Sequence, residues 1–304
     1  MELGKTLILT HHSRLGDPVL SIPLHRALAP ICDLHSNVGD RYRSIFHLSG
    51  VHPTWTDELQ PKSFGEILRT ARALREQRFR TIFLIRPSFR AALLARLAGI
   101  PVRVGEASEG RGFLLTHKVP YSATRNELDH LSTLAGLVGV DVKREWNFQP
   151  SGDVVQRIRA ELGSATIGIV PGVSWHGKAV PTEIWRDVIQ KLQGSGHACA
   201  LLGGPGDNRY ADQLADTGAI HLGERFDLEG LIAAFQSLKV VAAADGGLYH
   251  LSVASGTPTV GIFGPTSSKR WGHDWGDNVT IQSPENSNDK LHPNTLLDAI
   301  ESRL

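Results

Sequence analysis

The sequence predicts an α/β protein of two Rossmann-like domains, each built on a parallel sheet and facing an interdomain cleft. Three observations carry that expectation. Short buried-looking apolar runs alternate with stretches of helical spacing, which is the signature of strands joined by crossover helices. The alternation restarts near the middle of the chain. Glycine-bearing loops follow several of the apolar runs, at the strand ends where open parallel sheets bind ligands.

Taken in order, Thr6–Thr10 reads as the first strand, followed by a turn over Ser13–Asp17 and a helix from Pro18 to about Leu28. Asp17 reads as the N-cap, with Pro18 at the first helical position. Ile67–Gln77 has helical spacing and sets Arg69, Arg72 and Arg75 on one side. Thr81–Ile85 is a short buried strand, and Ser88–Ala98 is a helix ended by Gly99. Pro150–Gly152 reads as a connector, dividing the chain into domains 1–150 and 151–304. Beyond it come helix Val154–Leu162, strand Thr166–Val170, helix Thr182–Gln193 and strand Ala198–Leu202. Strand Val240–Ala244, helix Leu248–Ser255 and strand Thr259–Phe263 follow. Asn294–Leu304 closes the chain as an amphipathic helix, with a return to the first domain left open.

At 304 residues the chain is long enough for two cores. Its 41% hydrophobic and 21% charged residues are those of an ordinary soluble globular protein. The net charge of +1 hides an asymmetry, since residues 1–150 hold 20 Lys and Arg against 14 Asp and Glu. That basic half suits an anionic partner or membrane surface, or is a solvated arginine-rich helix face. Cys32 and Cys199 are the only cysteines, which leaves no disulfide framework and no paired-cysteine metal spacing. The first ten residues lack the pattern of a signal peptide, and no segment reaches 18 uninterrupted apolar residues. The expected location is therefore the cytoplasm or the surface of a membrane. His11 and His12 read as a strand end, because no third ligand has suitable spacing for a metal. The arginine row at 69, 72 and 75 lacks interleaved aromatics, so nucleic acid is not an expected partner.

Three loops carry chemistry. In Pro171-Gly172-Val173-Ser174-Trp175-His176-Gly177-Lys178, glycine lets the backbone approach a phosphate and Lys178 brings a mobile positive charge. Gly203-Gly204-Pro205-Gly206-Asp207 reads either as a tight turn or as a ligand loop whose Asp207 accepts from a ribose or sugar hydroxyl. The third loop is the most informative: Asp245-Gly246-Gly247 leads straight into a helix whose first turn holds His250. Free N–H groups at that start suit a diphosphate. Asp245 would repel phosphate, so it either orients a hydroxyl or a loop, or caps the helix. Phe263-Gly264-Pro265-Thr266 ends the next strand on the same side. Trp271, His273, Asp274 and Trp275 form an aromatic loop that either packs or stacks on a base or sugar.

The run Val241–Thr266 (VAAADGGLYHLSVASGTPTVGIFGPT) resembles the donor-site region of the family-9 glycosyltransferases, the ADP-heptose:lipopolysaccharide heptosyltransferases. Leu228-Glu229-Gly230, Pro171-Gly172 with Lys178, and Pro181–Trp185 are similar to that family too. In the first half, so are Arg14-Leu15-Gly16-Asp17 and Arg86–Gly105. The resemblance implies a GT-B fold and inverting transfer without a metal or other cofactor. It also implies an ADP-heptose donor on the second domain and an anionic inner-core lipopolysaccharide acceptor on the first. Ser174 and Lys178 would then contact the diphosphate, with Asp245, Gly246, Gly247 and His250 completing the donor site. Asp207 and the backbone at Phe226 would lie near ribose and adenine. Arg69, Arg72, Arg86 and Arg111 would meet acceptor carboxylates and phosphates, and Asp17 would be the general base. The chain departs from the family where Asp-Ser/Thr-Gly becomes Asp245-Gly246-Gly247 and where Pro18 follows Gly16-Asp17. These departures leave room for another nucleotide sugar on a capsule or glycolipid acceptor, and Gly246 for a non-catalytic binding protein on the same fold. A nucleotide-sugar epimerase on the same scaffold is a further alternative, against which the basic first half weighs.

Overall fold

The computed structural model describes residues 2–10, 14–56, 59, 63–86, 88–204 and 207–304. His11, His12 and Ser13 of the first turn, and Pro205 and Gly206 of the glycine-rich loop, lie outside them. The chain divides into two compact units, Met1–Trp146 and Asn147–Leu304.

In the first unit the order is β1 (Lys5–Leu9), α1 (Gly16–Leu28), β2 (Asp33–Ser36), α2 (Arg43–Leu48), β3 (Thr54–Trp55) and α3 (Phe64–Glu76). Then come β4 (Thr81–Leu84), α4 (Phe89–Leu97), β5 (Val102–Ala107), β6 (His117–Pro120) and α5 (Glu127–Gly136). The six strands form one parallel sheet in the order β3-β2-β1-β4-β5-β6. Alternation along the central strands feeds two cores. Leu7, Leu9, Ile82 and Leu84 pack with Ile67, Ala71 and Leu74 of α3 and with Ala92, Leu94 and Ala95 of α4. Ile8 and Phe83 point the other way, toward Leu24 and Leu28 of α1 and Leu131 and Leu134 of α5. Ser63 and Ser88 cap α3 and α4, each accepting from the N–H three residues on.

The second unit repeats the plan with α6 (Gly152–Leu162), β7 (Ile167–Val170), α7 (Thr182–Gly194), β8 (Cys199–Leu202), α8 (Asn208–Asp212) and β9 (Ile220–Gly223). It continues with α9 (Leu228–Ser237), β10 (Val240–Ala244), α10 (Gly247–Ala254), β11 (Thr259–Phe263), α11 (Ser268–Trp271), β12 (Val279–Gln282) and α12 (Pro293–Glu301). Its parallel sheet runs β12-β11-β10-β7-β8-β9. Counted from each unit's first strand, both sheets have the order 3-2-1-4-5-6 that defines the Rossmann arrangement. The final helix packs within the second unit: Leu296 and Ile300 are fully buried with Trp185 and Val188 of α7 against β7, β10 and β11.

The helix after β1 corrects one expectation. It starts at Gly16, and Leu15, not Asp17, holds the N-cap position, with no side-chain cap bond. Asp17 lies inside the first turn, where its carboxylate meets a guanidinium instead of the helix N–H groups. Cys32 and Cys199 are both free thiols.

One buried histidine ties α1 to the sheet. His25 is fully buried; its Nδ1 lies 2.8 Å from the Ser21 carbonyl, and its Nε2 lies 2.9 Å from the Ser36 hydroxyl. The carbonyl can only accept, so Nδ1 carries the proton and Nε2 accepts from Ser36. Burial lowers its pKa to about 4. The unfolded chain takes up this proton near pH 6.5, so the contribution to stability is complete above that pH and lost as pH falls toward 4. We predict that His25→Gln flattens the pH dependence of unfolding between pH 6.5 and 4 by roughly 3 kcal/mol relative to the native chain. Denaturant titrations at several pH values measure this, and parallel pH profiles for the two proteins would refute it.

Candidate functional site

In each sheet the chain leaves neighbouring central strands in opposite directions, and the crevice between their carboxyl ends is the usual ligand position. In the second unit those strands are β7 and β10. The loop after β7 brings Lys178 and the loop after β10 brings Asp245, and the two meet with Lys178 Nζ 2.6 Å from Asp245 Oδ2. The aspartate side chain is only 4% exposed, so without Lys178 its charge would be buried and uncompensated. Thr266, after β11, donates its hydroxyl to the same carboxylate oxygen. Asn288 extends the assembly, donating from Nδ2 to the Lys178 carbonyl at 2.7 Å while its Oδ1 accepts from the Ser283 hydroxyl. Four segments distant in sequence are thereby bound together around one charge pair.

Asp245 orients loops here and does not cap the helix. Gly246 is the N-cap of α10, in extended backbone and with no side-chain cap bond, so the helix begins with its N–H groups uncovered by a side chain. A Cβ on Gly246 would find only the Ala244 carbonyl, at 3.7 Å. The glycine is therefore not demanded by crowding. His250, in the first turn, is buried. Its pKa is lowered to about 4 by burial, partly offset by Asp245 and reinforced by Lys178. At neutral pH this ring is an uncharged member of the site.

The other residues expected on the donor side follow β7, β8 and β9. Ser174 is exposed in the loop after β7. Asp207, half-buried, accepts the Gly204 N–H at 2.9 Å and so closes its own loop; burial raises its pKa, against the lowering effect of that bond. A Cβ on Gly172 would collide with the Asp207 carboxylate, so the loops after β7 and β8 touch only because residue 172 is glycine. Phe226 is buried after β9, against Gly230 of α9. Its ring is consequently unavailable for stacking, and only its backbone remains at the strand end.

The first unit has its own charged pair at its own switch point. Asp17, after β1, pairs with Arg86, after β4. Arg86 engages Oδ1, whereas Oδ2 is buried and accepts no hydrogen bond among the described residues. Arg69 and Arg72 are exposed on α3. Arg111 is not where acceptor contact requires it. It is 2% exposed; its Nε donates to the Glu106 carbonyl at 2.8 Å, and Nη2 bonds Ser108 and the Glu106 carboxylate. The resemblance implied a contact with the acceptor, whereas the buried Glu106 draws the guanidinium inward. Thr266 was legible as a loop residue without a role, and Asn288 had no local signal, because its partner Lys178 is 110 positions away. Among the described residues no helix is long and apolar enough to cross a membrane.

Residues 67–299 match the family model of glycosyltransferase family 9 (heptosyltransferase). Over 123 residues the chain is 30% identical to lipopolysaccharide heptosyltransferase 1 of Escherichia coli O18:K1:H7; the match covers 40% of this chain and 38% of that relative. Two solved structures are similar over nearly their whole length. E. coli ADP-heptose lipopolysaccharide heptosyltransferase II superposes with a TM-score of 0.78 at 20% identity, covering 98% of each chain. The E. coli heptosyltransferase WaaC with ADP gives 0.72 at 20%, covering 98% of this chain and 97% of that one. The two Rossmann-like units are those of the GT-B fold.

The charge pair sets a stability prediction. Lys178→Met should destabilise the protein by about 3 kcal/mol by stranding Asp245, and adding Asp245→Asn should restore part of that loss. Urea denaturation reads both variants, and a Lys178→Met protein as stable as the native one would show that the pair supports nothing.

Proposed function

This chain belongs to glycosyltransferase family 9, the heptosyltransferases, and from that premise we propose that it transfers heptose from ADP-heptose to an anionic inner-core lipopolysaccharide acceptor. The observation that carries the reading is the crevice between β7 and β10, where Lys178 and the uncapped start of α10 flank one point. A cationic side chain beside free backbone N–H groups binds a diphosphate. It also stabilises the negative charge that grows on the leaving nucleoside diphosphate. Lys178 and the helix start supply that charge without a metal. Ser174 and the backbone near Asp207 and Phe226 complete the donor side in this reading.

In the proposed reaction an acceptor hydroxyl oxygen bonds to the anomeric carbon as the carbon–oxygen bond to the diphosphate breaks, inverting that carbon. ADP leaves, and the hydroxyl proton passes to Asp17. Its buried Oδ2, without a hydrogen bond among the described residues, is the oxygen we assign to take that proton, with Arg86 anchoring Oδ1. A buried polar atom left unsatisfied calls for such a role.

The acceptor side is supported by the surface of the first unit. Phe64 and Leu68, one turn apart on α3, and Phe89 and Phe113, with ring centroids 6.4 Å apart, are exposed. Helices α3 and α4 expose Arg69, Arg72 and Arg90. Apolar side chains among arginines suit a glycolipid at an anionic bilayer, consistent with a cytoplasmic protein that contacts the membrane peripherally.

Two measurements test the reading. ADP should raise the melting temperature more than UDP or GDP does; equal or greater protection by UDP would remove ADP-heptose as donor. Asp17→Asn should lower turnover by about 10²- to 10⁴-fold with ADP affinity near that of the native protein. Undiminished turnover would leave Asp17 as a structural partner of Arg86.

A further inference from the structure

In the aromatic loop after α11, one side chain belongs to the interior. His273 is 2% exposed, and Tyr249 and Trp275 are among the residues that hold it. The Tyr249 ring stacks on it with centroids 5.3 Å apart and planes 22° apart. The Tyr249 hydroxyl accepts the His273 backbone N–H at 2.9 Å. Trp275 meets the imidazole edge-on, centroids 4.5 Å apart. Tyr249 is itself confined, between Phe263 and the face of Gly261. Within this frame His273 Nε2 comes 2.8 Å from His250 Nδ1, with the rings at 77° to each other.

Two imidazole nitrogens at that distance share one proton, and burial keeps His250 uncharged at neutral pH. A neutral imidazole has a single N–H, so the shared proton decides what the far side of the ring can do. If His250 donates from Nδ1, its Nε2 is a bare acceptor that repels an anion. If His273 donates, His250 Nδ1 accepts and its own proton sits on Nε2. His250 occupies the first turn of α10 and feels both Lys178 and Asp245. An anion at the start of that helix can be met only by the second arrangement.

We infer that His273 is a positioning residue that holds His250 as the Nε2–H tautomer, so that His250 donates a hydrogen bond to an oxygen of a bound diphosphate. The inference rests on the donor reading above and adds to it the residue that selects the protonation geometry. Neither sequence position nor periodicity marks His273 for this role. The packed loop places it, and Tyr249 and Trp275 leave its ring little room to turn away.

The test combines spectroscopy and a mutant cycle. Two-bond proton–nitrogen correlation spectra of ¹⁵N-histidine-labelled native protein, with and without ADP, distinguish protonated from bare ring nitrogens. With ADP bound, His250 should show a protonated Nε2 and a bare Nδ1; the reverse overturns the inference. His273→Phe should weaken ADP binding by at least about tenfold, the worth of a hydrogen bond to a charged group, while adenosine binding stays unchanged. His273→Gln, whose amide can donate to Nδ1, should recover most of the loss. In a His250→Ala background His273→Phe should have no further effect on ADP affinity. A further loss there, or an equal loss for adenosine, would mean that His273 only supports the loop. If ADP fails to bind the native protein, the donor reading falls and takes this inference with it. If ADP binds with His250 protonated on Nδ1, only the inference falls.

Discussion

The second unit is organised around a buried carboxylate that needs a counter-charge. Asp245 follows the central strand β10 almost wholly out of solvent, and burying a lone charge is far costlier than burying a paired one. Lys178 answers it from the loop after β7, Thr266 from the loop after β11, and Asn288 fixes the backbone of Lys178. The loops after β7, β10 and β11 are tied together by satisfying that one group. The arrangement also leaves a cation beside the start of α10, whose N-cap glycine has no side chain to occupy its N–H groups. The same chemistry that stabilises the fold would suit this edge to the anion proposed to bind there.

The first unit uses the same device with its polarity exchanged. There the acid, Asp17, follows the first strand and the base, Arg86, follows the fourth. In the second unit the base follows the first strand and the acid the fourth. Both pairs bridge the point where a 3-2-1-4-5-6 sheet opens. A lysine on a flexible stem can turn from its partner to a diphosphate. A carboxylate gripped on one oxygen can use the other.

How much of this was legible in the residues depended on how local each cause is. Strands Val240–Ala244 and Thr259–Phe263 are found where the apolar runs stand, because both lie at the centre of a sheet covered on both faces and are apolar throughout. The strands at β2, β3, β6 and β12 carry no such run: DLHS, TW, HKVP and VTIQ are short or mixed. Pairing with a neighbour, not propensity, makes them strands. The start of α1 was misread for a related reason. Asp17 before Pro18 has the pattern of a cap, but Arg86, 69 positions on, takes its carboxylate.

The sequence by itself determined two α/β units, the glycine loops at the strand ends, and the charged residues those loops carry. Those properties rest on runs of a few residues and on chemistry each residue carries wherever it is placed. Only the tertiary structure decided the pairings: Asp17 with Arg86, Lys178 with Asp245 and Thr266, and His250 with His273. It also turned Arg111 inward to Glu106 and drew His273 of the aromatic loop into the interior. Each of these depends on which groups burial brings within hydrogen-bonding distance across many residues of chain, and no local pattern encodes that distance.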